Sequence, residues 1–344
     1  MAPILDVLIV GGGPAGLAAA IAAKQQGLSA LVLEKGALVN ALLHYPTDMV
    51  FFTTPELMEI GGVPFVSPYE KPTRQEALRY YRRVTDSFGL DVRFGEAVVD
   101  LTRRADGVFV ATSERRSPGS SDPGTEREQW MARSVVLAQG AYDIPNRLNV
   151  PGEDLPHVSH FYREPHSHFR RDVVIVGGKN SAAEAALELY RAGARVLLVH
   201  RQAALGESIK YWVKPDIENR IKEGAVRARF ETRVVQITPG DVVLEGPDGV
   251  SRERADAVFL LTGYRSDTSL LKAAGAEVEP TEGAPVHNPD TFETTVPNLY
   301  VIGAFVAGKQ SGKIFIENGR FHGEVVIKQI KLRTQNLELK TKER

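Results

Sequence analysis

The chain has 344 residues, a formal net charge of −1, 25% charged and 43% hydrophobic residues, and no cysteine. The balanced charge gives no electrostatic footprint for nucleic acid or an anionic membrane, and the longest apolar runs, such as Val173–Val176 and Val196–Val199, are strand-length and far short of a membrane span. The length suits two domains that each bury a core, and the missing cysteine excludes disulfides and thiolate metal sites.

A strand is predicted at Ile4–Val10, so early that no signal peptide fits before it, which points to the cytoplasm. It runs into Gly11-Gly-Gly13-Pro14-Ala15-Gly16 and an alanine-rich helix. Gly11 permits the tight turn, Gly13 lets a pyrophosphate approach the backbone, and Gly16 lets helix and strand pack closely. The helix N-terminus turns its unpaired N–H groups toward the phosphates. The next predicted strand, Ser29–Leu33, ends at Glu34, placed to accept ribose hydroxyls. A carboxylate there repels a 2′-phosphate, so this turn suits FAD or NAD and not NADP.

Strands at Leu90–Phe94, Val108–Thr112 and Ser134–Ala138 suggest a β meander inserted in the first domain, with Ser113–Gln129 as a flexible loop inside it. Pro145 to Pro156 reads as a linker. His157, His160, His166 and His168 crowd together nearby, but no neatly spaced acid accompanies them, so no metal site is expected.

A second strand–turn–helix pattern follows at Asp172–Ala183, with Gly177, Gly178, Lys179, Asn180, Ser181 and Ala182 forming the turn. Lys179 stands where the middle glycine would be, and its ammonium can pair with phosphate. The strand Ala194–Val199 ends in His200-Arg201 instead of an acid, which suits the 2′-phosphate of NADPH. Lys210 and Lys214 can add charge, while Tyr211-Trp212 beside them fits a core role equally well. Strands around Arg229–Ile237, Val242–Leu244 and Ala257–Leu261 close this domain, and Gly263-Tyr264 begins the return. Val296–Gly303 reads as a buried strand ending in glycine, followed by a helix from about Ile314 with polar Lys313, Glu317, Asn318 and Arg320 in its first turns.

The whole chain resembles the thioredoxin-reductase-like flavoproteins and, within them, the bacillithiol-disulfide reductase family. The carriers include Tyr45-Pro46-Thr47 with Phe51-Phe52, Glu59–Phe65, Phe161–His166, Val176–Gly193, Ile209–Gly224 and Ile314–Gly323. The resemblance implies an α/β fold of two Rossmann-like dinucleotide-binding domains in three ββα layers, as in thioredoxin and glutathione reductases. It divides the chain into an FAD domain at 1–156 and 264–333, an NADPH domain at 157–263 and a charged tail at 334–344.

FAD is then expected on Gly11, Gly13, Pro14, Ala15, Gly16, Glu34, Lys35, His44, Gly140, Gly303, Lys313 and Ile314. NADPH is expected on Gly177, Gly178, Lys179, Asn180, Ser181, Ala182, His200, Arg201 and Lys210. In such flavoproteins a glycine–aspartate pair contacts the FAD ribityl chain; here Ala304 follows Gly303. The helix from Ile314 would aim its positive end at the flavin pyrimidine ring. Thioredoxin reductases carry a Cys-x-x-Cys where this chain reads approximately His160–Arg163, and the bacillithiol-disulfide reductases carry a cysteine in the first glycine loop, where this chain has Ala15. Hydride from NADPH would therefore pass to the flavin and on, without a protein thiol, to a small-molecule or small-protein acceptor. His44, Tyr45 and Lys313 are the candidate proton donors. A homodimer is implied by the resemblance. A ferredoxin–NADP reductase, a quinone diaphorase and a nucleotide-binding regulator remain as other readings.

Overall fold

The computed structural model describes residues 3–115, 126–309 and 311–342. They form two compact units. The first comprises Met1–Leu43, Met49–Ile144 and Tyr264–Arg344, and the second comprises His44–Asp48 and Pro145–Gly263. The stretch 145–156, assigned by sequence to the first domain, thus packs with the second, as do His44 to Asp48.

In the first unit the strand Leu5–Val10 lies between Ala30–Glu34 and Glu126–Leu137, parallel to both. Val92–Phe94 continues the parallel sheet beyond Ala30–Glu34, and Leu299–Val301 continues it beyond Leu137. The long strand Glu126–Leu137 belongs to two arrangements. Its second half pairs in parallel with Leu5–Val10, and its first half pairs antiparallel with Phe109–Arg115, which pairs in turn with Glu96–Arg103. Strand alternation then sorts the core. Val7 and Ile9 meet Ala19, Ala23, Val326, Ile327 and Ile330 of the helices Pro14–Gln25 and His322–Lys342, whereas Leu8 and Val10 meet Leu101, Phe109 and Leu271 on the other face. The alanine-rich first helix lets the last one approach closely. A Cβ on Gly323 would fall 2.6 Å from the Ala19 nitrogen.

The second unit repeats this plan. Its parallel sheet runs Arg227–Arg229, Arg195–Val199, Asp172–Val176, Ala257–Leu260, Val158–Ser159, and the helices Asn180–Arg191 and Lys214–Lys222 supply residues to the core on one face. An antiparallel meander, Arg233–Ile237, Asp241–Gly246 and Gly249–Arg254, covers Val174 and Val176 on the other. The two ends of its main segment, Pro145–Gly263, are tied to each other. Asn146 donates its backbone N–H to the Gly263 carbonyl at 2.9 Å and its amide to the Thr262 carbonyl at 3.3 Å, and the Thr262 hydroxyl donates to the Asn146 carbonyl at 2.5 Å.

Several sequence expectations need correction. Leu90–Phe94 is not a meander strand; Val92–Phe94 edges the parallel sheet, and Gly95 (φ +67°) turns the chain into the true first meander strand, Glu96–Arg103. The proposed loop Ser113–Gln129 contains strand at both ends, with residues 116–125 outside the described set. The C-terminal strand shrinks to Leu299–Val301, because Asn298 adopts φ +66°. The helix expected from Ile314 is a single turn, Ile316–Gly319, interrupted before a new helix begins at His322. A continuous helix dipole from Ile314 is therefore absent, and residues 334–342 extend the second helix instead of forming a separate tail. No helix among the described residues is long and apolar enough to cross a membrane.

Candidate functional site

The first glycine turn is built by exclusion of side chains. A Cβ on Gly11, at φ +112°, would meet the Ala138 carbonyl oxygen at 2.4 Å, and one on Gly16 would fall 2.0 Å from the Gly11 carbonyl oxygen. Gly13 differs, since nothing of the protein lies within 4 Å of where its Cβ would be. This gap is the cradle a phosphate needs. Gly13 is also the N-cap of the helix Pro14–Gln25, with Pro14 in its first turn and no acidic side chain there to oppose an anion.

Glu34 ends the adjoining strand and is buried. Its carboxylate accepts the Gly12 N–H at 2.7 Å and the Gly36 N–H at 2.8 Å. Burial nonetheless pushes its pKa up, outweighing both hydrogen bonds and the nearby Lys35 ammonium. Lys35 itself is ion-paired with Asp143 at 2.7 Å. Each Glu34 oxygen keeps a further lone pair, so the carboxylate can serve the backbone and a ribose hydroxyl together. Open cradle, uncontested helix N-terminus and buried acceptor fit the diphosphate and ribose of a dinucleotide.

The other residues expected here differ in their surroundings. Ala15 lies against Gly303, whose Cβ would be 2.8 Å from that of Ala15, so the two loops touch. Gly140 adopts φ +73° at the end of the Leu137 strand. Lys313 is exposed, and its carbonyl accepts from the Asn318 amide at 3.0 Å while Asn318 also accepts the Phe315 N–H at 2.8 Å. Arg320 is a clamp: one guanidinium nitrogen donates to the Glu56 and Glu59 carbonyls at 2.7 and 2.6 Å. His44 and Tyr45 fall in the second unit, where Arg163 donates to His44 Nδ1 at 3.0 Å and the Thr47 N–H reaches the Arg163 carbonyl at 2.8 Å.

The second turn keeps the backbone plan with different side chains. A Cβ on Gly177 would meet the Leu261 carbonyl oxygen at 2.6 Å, and one on Gly178 would penetrate the His200 ring at 2.3 Å. His200 therefore lies on Gly178 much as Glu34 lies on Gly12. Burial, with the neighbouring Arg201 charge, lowers the His200 pKa. Lys179 and Arg201 are both exposed. The loop after His200 is stitched to the turn. Gly206 donates to the Gly178 carbonyl at 2.8 Å, and Asn180 accepts the Lys210 N–H at 2.8 Å and donates to the Ser208 carbonyl at 3.2 Å. Lys210 shares its charge with Glu184 at 2.9 Å. Tyr211 and Trp212, for which the sequence left a core role open, are exposed. Exposed cations beside a glycine turn fit a nucleotide with an extra phosphate.

Among the four clustered histidines, His160 Nε2 lies 3.3 Å from the buried Glu153 carboxylate and His168 sits edge-on to Phe259. Sequence reasoning gave no role to Asp143, which lies in none of the stretches named above, nor to Glu184 and His322, which lie within Val176–Gly193 and Ile314–Gly323 but show no partner in the sequence.

Residues 8–303 match the family model described as pyridine nucleotide-disulphide oxidoreductase. The bacilliredoxin reductase Bdr of Bacillus subtilis (strain 168) is 40% identical over 324 residues, which is 94% of this chain and 96% of that protein. Two solved structures have the same fold: the bacillithiol disulfide reductase Bdr from Bacillus cereus, at 38% identity and TM-score 0.92 over 96% of this chain and 100% of that one, and its counterpart from Staphylococcus aureus, at 36% identity and TM-score 0.87 over 96% and 98%.

Proposed function

Because the chain belongs to the pyridine nucleotide-disulphide oxidoreductase family, we propose that it carries reducing equivalents from NADPH through FAD to a low-molecular-weight disulfide such as that of bacillithiol. The enzyme is an NADPH- and FAD-dependent oxidoreductase without a redox-active cysteine. The observation that carries the reading is the pair of glycine turns with oppositely charged strand ends, Glu34 at one and His200-Arg201 at the other. The two cofactors supply hydride transfer and two-electron delivery when bound; what the chain supplies is placement, charge and protons.

FAD is assigned to Gly11, Gly13, Pro14, Ala15, Gly16, Glu34, Lys35, His44, Gly140, Gly303, Lys313 and Ile314. Gly13 leaves the phosphate its space, Glu34 accepts from the ribose, and the Lys35–Asp143 pair keeps an unopposed cation away from Glu34. NADPH is assigned to Gly177, Gly178, Lys179, Asn180, Ser181, Ala182, His200, Arg201 and Lys210. Arg201 binds the 2′-phosphate and Asn180 holds the 206–210 loop against the turn. His44, Tyr45 and Lys313 are the candidate proton donors. An arginine only donates, so the Arg163 contact fixes His44 Nδ1 as acceptor and leaves the proton on Nε2. A cytoplasmic homodimer completes the proposal, the dimer on the strength of the resemblance.

The test is an anaerobic visible spectrum of the FAD-loaded protein, titrated with NADPH and separately with NADH, followed by addition of bacillithiol disulfide. Bleaching by stoichiometric NADPH with little by NADH, then recovery of the yellow band on adding the disulfide, is expected. A band that NADPH leaves unchanged would refute the donor, and a bleached band that the disulfide does not restore would refute the acceptor.

A further inference from the structure

His322 lies within the Ile314–Gly323 stretch but has no role assigned to it above, yet it reaches the Gly303 turn. It opens the helix His322–Lys342, and its Nδ1 accepts the backbone N–H of Gly303 at 3.2 Å. Gly303 (φ +66°) follows the core strand Leu299–Val301 and lies against Ala15 of the first glycine turn. Three segments therefore converge on one peptide. Ala304 offers no side-chain group to anchor this turn, so the side-chain anchor on Gly303 comes from the helix behind.

The imidazole is held by stacking. Its ring lies 4.1 Å from that of Phe292 at an interplanar angle of 20°. Phe292 adopts φ +59°, a conformation that is strained for a bulky L-residue and persists only where surroundings impose it. Backbone contacts impose it here, since Phe292 donates to the Asn288 carbonyl at 2.8 Å and accepts from Val301 at 3.0 Å. The His287 ring lies nearly parallel to Phe292 at 6.0 Å, with its Nδ1 2.8 Å from the Pro285 carbonyl. A carbonyl can only accept, so His287 Nδ1 carries a proton.

Accepting from Gly303 requires His322 to be neutral, with its proton on Nε2. We propose that His322 is a positioning residue for the flavin cofactor: through the Gly303 N–H it holds the Gly303–Ala304 turn against Ala15 in the shape that the bound dinucleotide requires. The proposal rests on the assignment of FAD to the first turn. Burial and the adjacent His287 favour the neutral ring, moving its pKa from the ordinary 6.5 to about 4. The other charges nearby are already engaged or distant in role: Glu293, beside Phe292, is ion-paired with Arg333, Glu324 lies in the first turn of His322's own helix, and the first turn of Pro14–Gln25 has no acid. Protonation would turn the Nδ1 acceptor into a donor facing a donor, and the turn would lose its anchor.

The experiment compares FAD retention by the holoenzyme and two variants, using equilibrium dialysis and the flavin absorption spectrum, with far-UV circular dichroism to establish folding. His322→Asn places an amide oxygen near the Nδ1 position, whereas His322→Phe preserves a ring on Phe292 and removes the acceptor. His322→Phe should weaken FAD binding about tenfold or more by stranding the Gly303 N–H, while His322→Asn stays within about threefold of wild type. The wild-type enzyme should also release FAD as pH falls from 6.5 toward 4, a step that His322→Asn lacks. Equal retention by His322→Phe and wild type, or equal loss in both variants, would overturn the proposal. If His322→Phe does not fold, the acid step decides, and its persistence in His322→Asn would overturn the proposal. A wild-type protein that binds no FAD at neutral pH would instead overturn the cofactor assignment on which it rests.

Discussion

The two glycine turns solve one backbone problem with different tolerances and opposite charges. In the first, the third glycine position is closed: a Cβ on Gly16 would lie 2.0 Å from the Gly11 carbonyl oxygen. In the second, the same position is occupied by Ala182, buried in the helix Asn180–Arg191. The first leaves open space at Gly13; the second fills that place with Lys179, the N-cap of its helix. At the strand end the first presents a buried carboxylate bound to two backbone N–H groups, the second an imidazole lying on glycine beside an exposed arginine. Backbone geometry thus leaves room for a diphosphate at the first turn, and the two strand ends differ in the charge they would offer a nucleotide. The tighter cradle with its buried carboxylate suits a resident cofactor and the looser, cationic one a cofactor that exchanges.

The largest way to break this comparison is Gly16→Ala. The added methyl cannot be accommodated against the Gly11 carbonyl without moving the helix, so a loss of about 3 kcal/mol or more of stability is expected, with loss of FAD. Chemical denaturation and the visible spectrum would read both. Next comes Arg201→Ala, which should raise the KM for NADPH about 10- to 100-fold with little change in kcat and leave NADH turnover untouched, as expected for one charge-assisted phosphate contact. Steady-state kinetics with both nucleotides would measure the ratio.

Glu34→Gln should be milder. It sets an amide donor against Gly12 or Gly36 and costs about 1–3 kcal/mol. It should also change the pH profile. Because the folded-state pKa of Glu34 is raised, the folded chain retains a proton that the unfolded chain releases. That part of wild-type stability is present below the ordinary 4.5 and fades as pH rises through the folded value. Denaturation midpoints of the Gln variant across this window should lack the fade. Smallest of all, Ala182→Gly should cost only about 0.5–1 kcal/mol by helix propensity and leave NADPH binding intact. A thermal melt shift matching that of Gly16→Ala would erase the difference in tolerance between the turns.

Both turns could be read from the chain because their constraints are local: a glycine, a strand and a helix within a few residues suffice. The strands Glu96–Arg103 and Gly249–Arg254 could not, because they are largely solvent-facing, charged, and defined only by partners elsewhere. The placement of His44 with Arg163 depends on a contact between residues far apart in sequence. His322 is still less visible. Nothing near it announces an acceptor for Gly303, and the left-handed Phe292 that supports it follows from packing, not from residue type. Position along the chain made the glycine turns legible, but the fastening of their edges is a property of the folded molecule.

The hydrogen bonds between Asn146 and Thr262–Gly263 carry a consequence for how such a chain could have arisen. They bring the two ends of the 145–263 segment together, so the chain enters and leaves this segment at adjacent points. Joining those ends early removes most of the entropy penalty of interrupting one module with another. A segment fastened in this way is a natural unit for transplantation between genes, and a recombination that cut on either side of the fastening would carry a complete strand–turn–helix module into its new host.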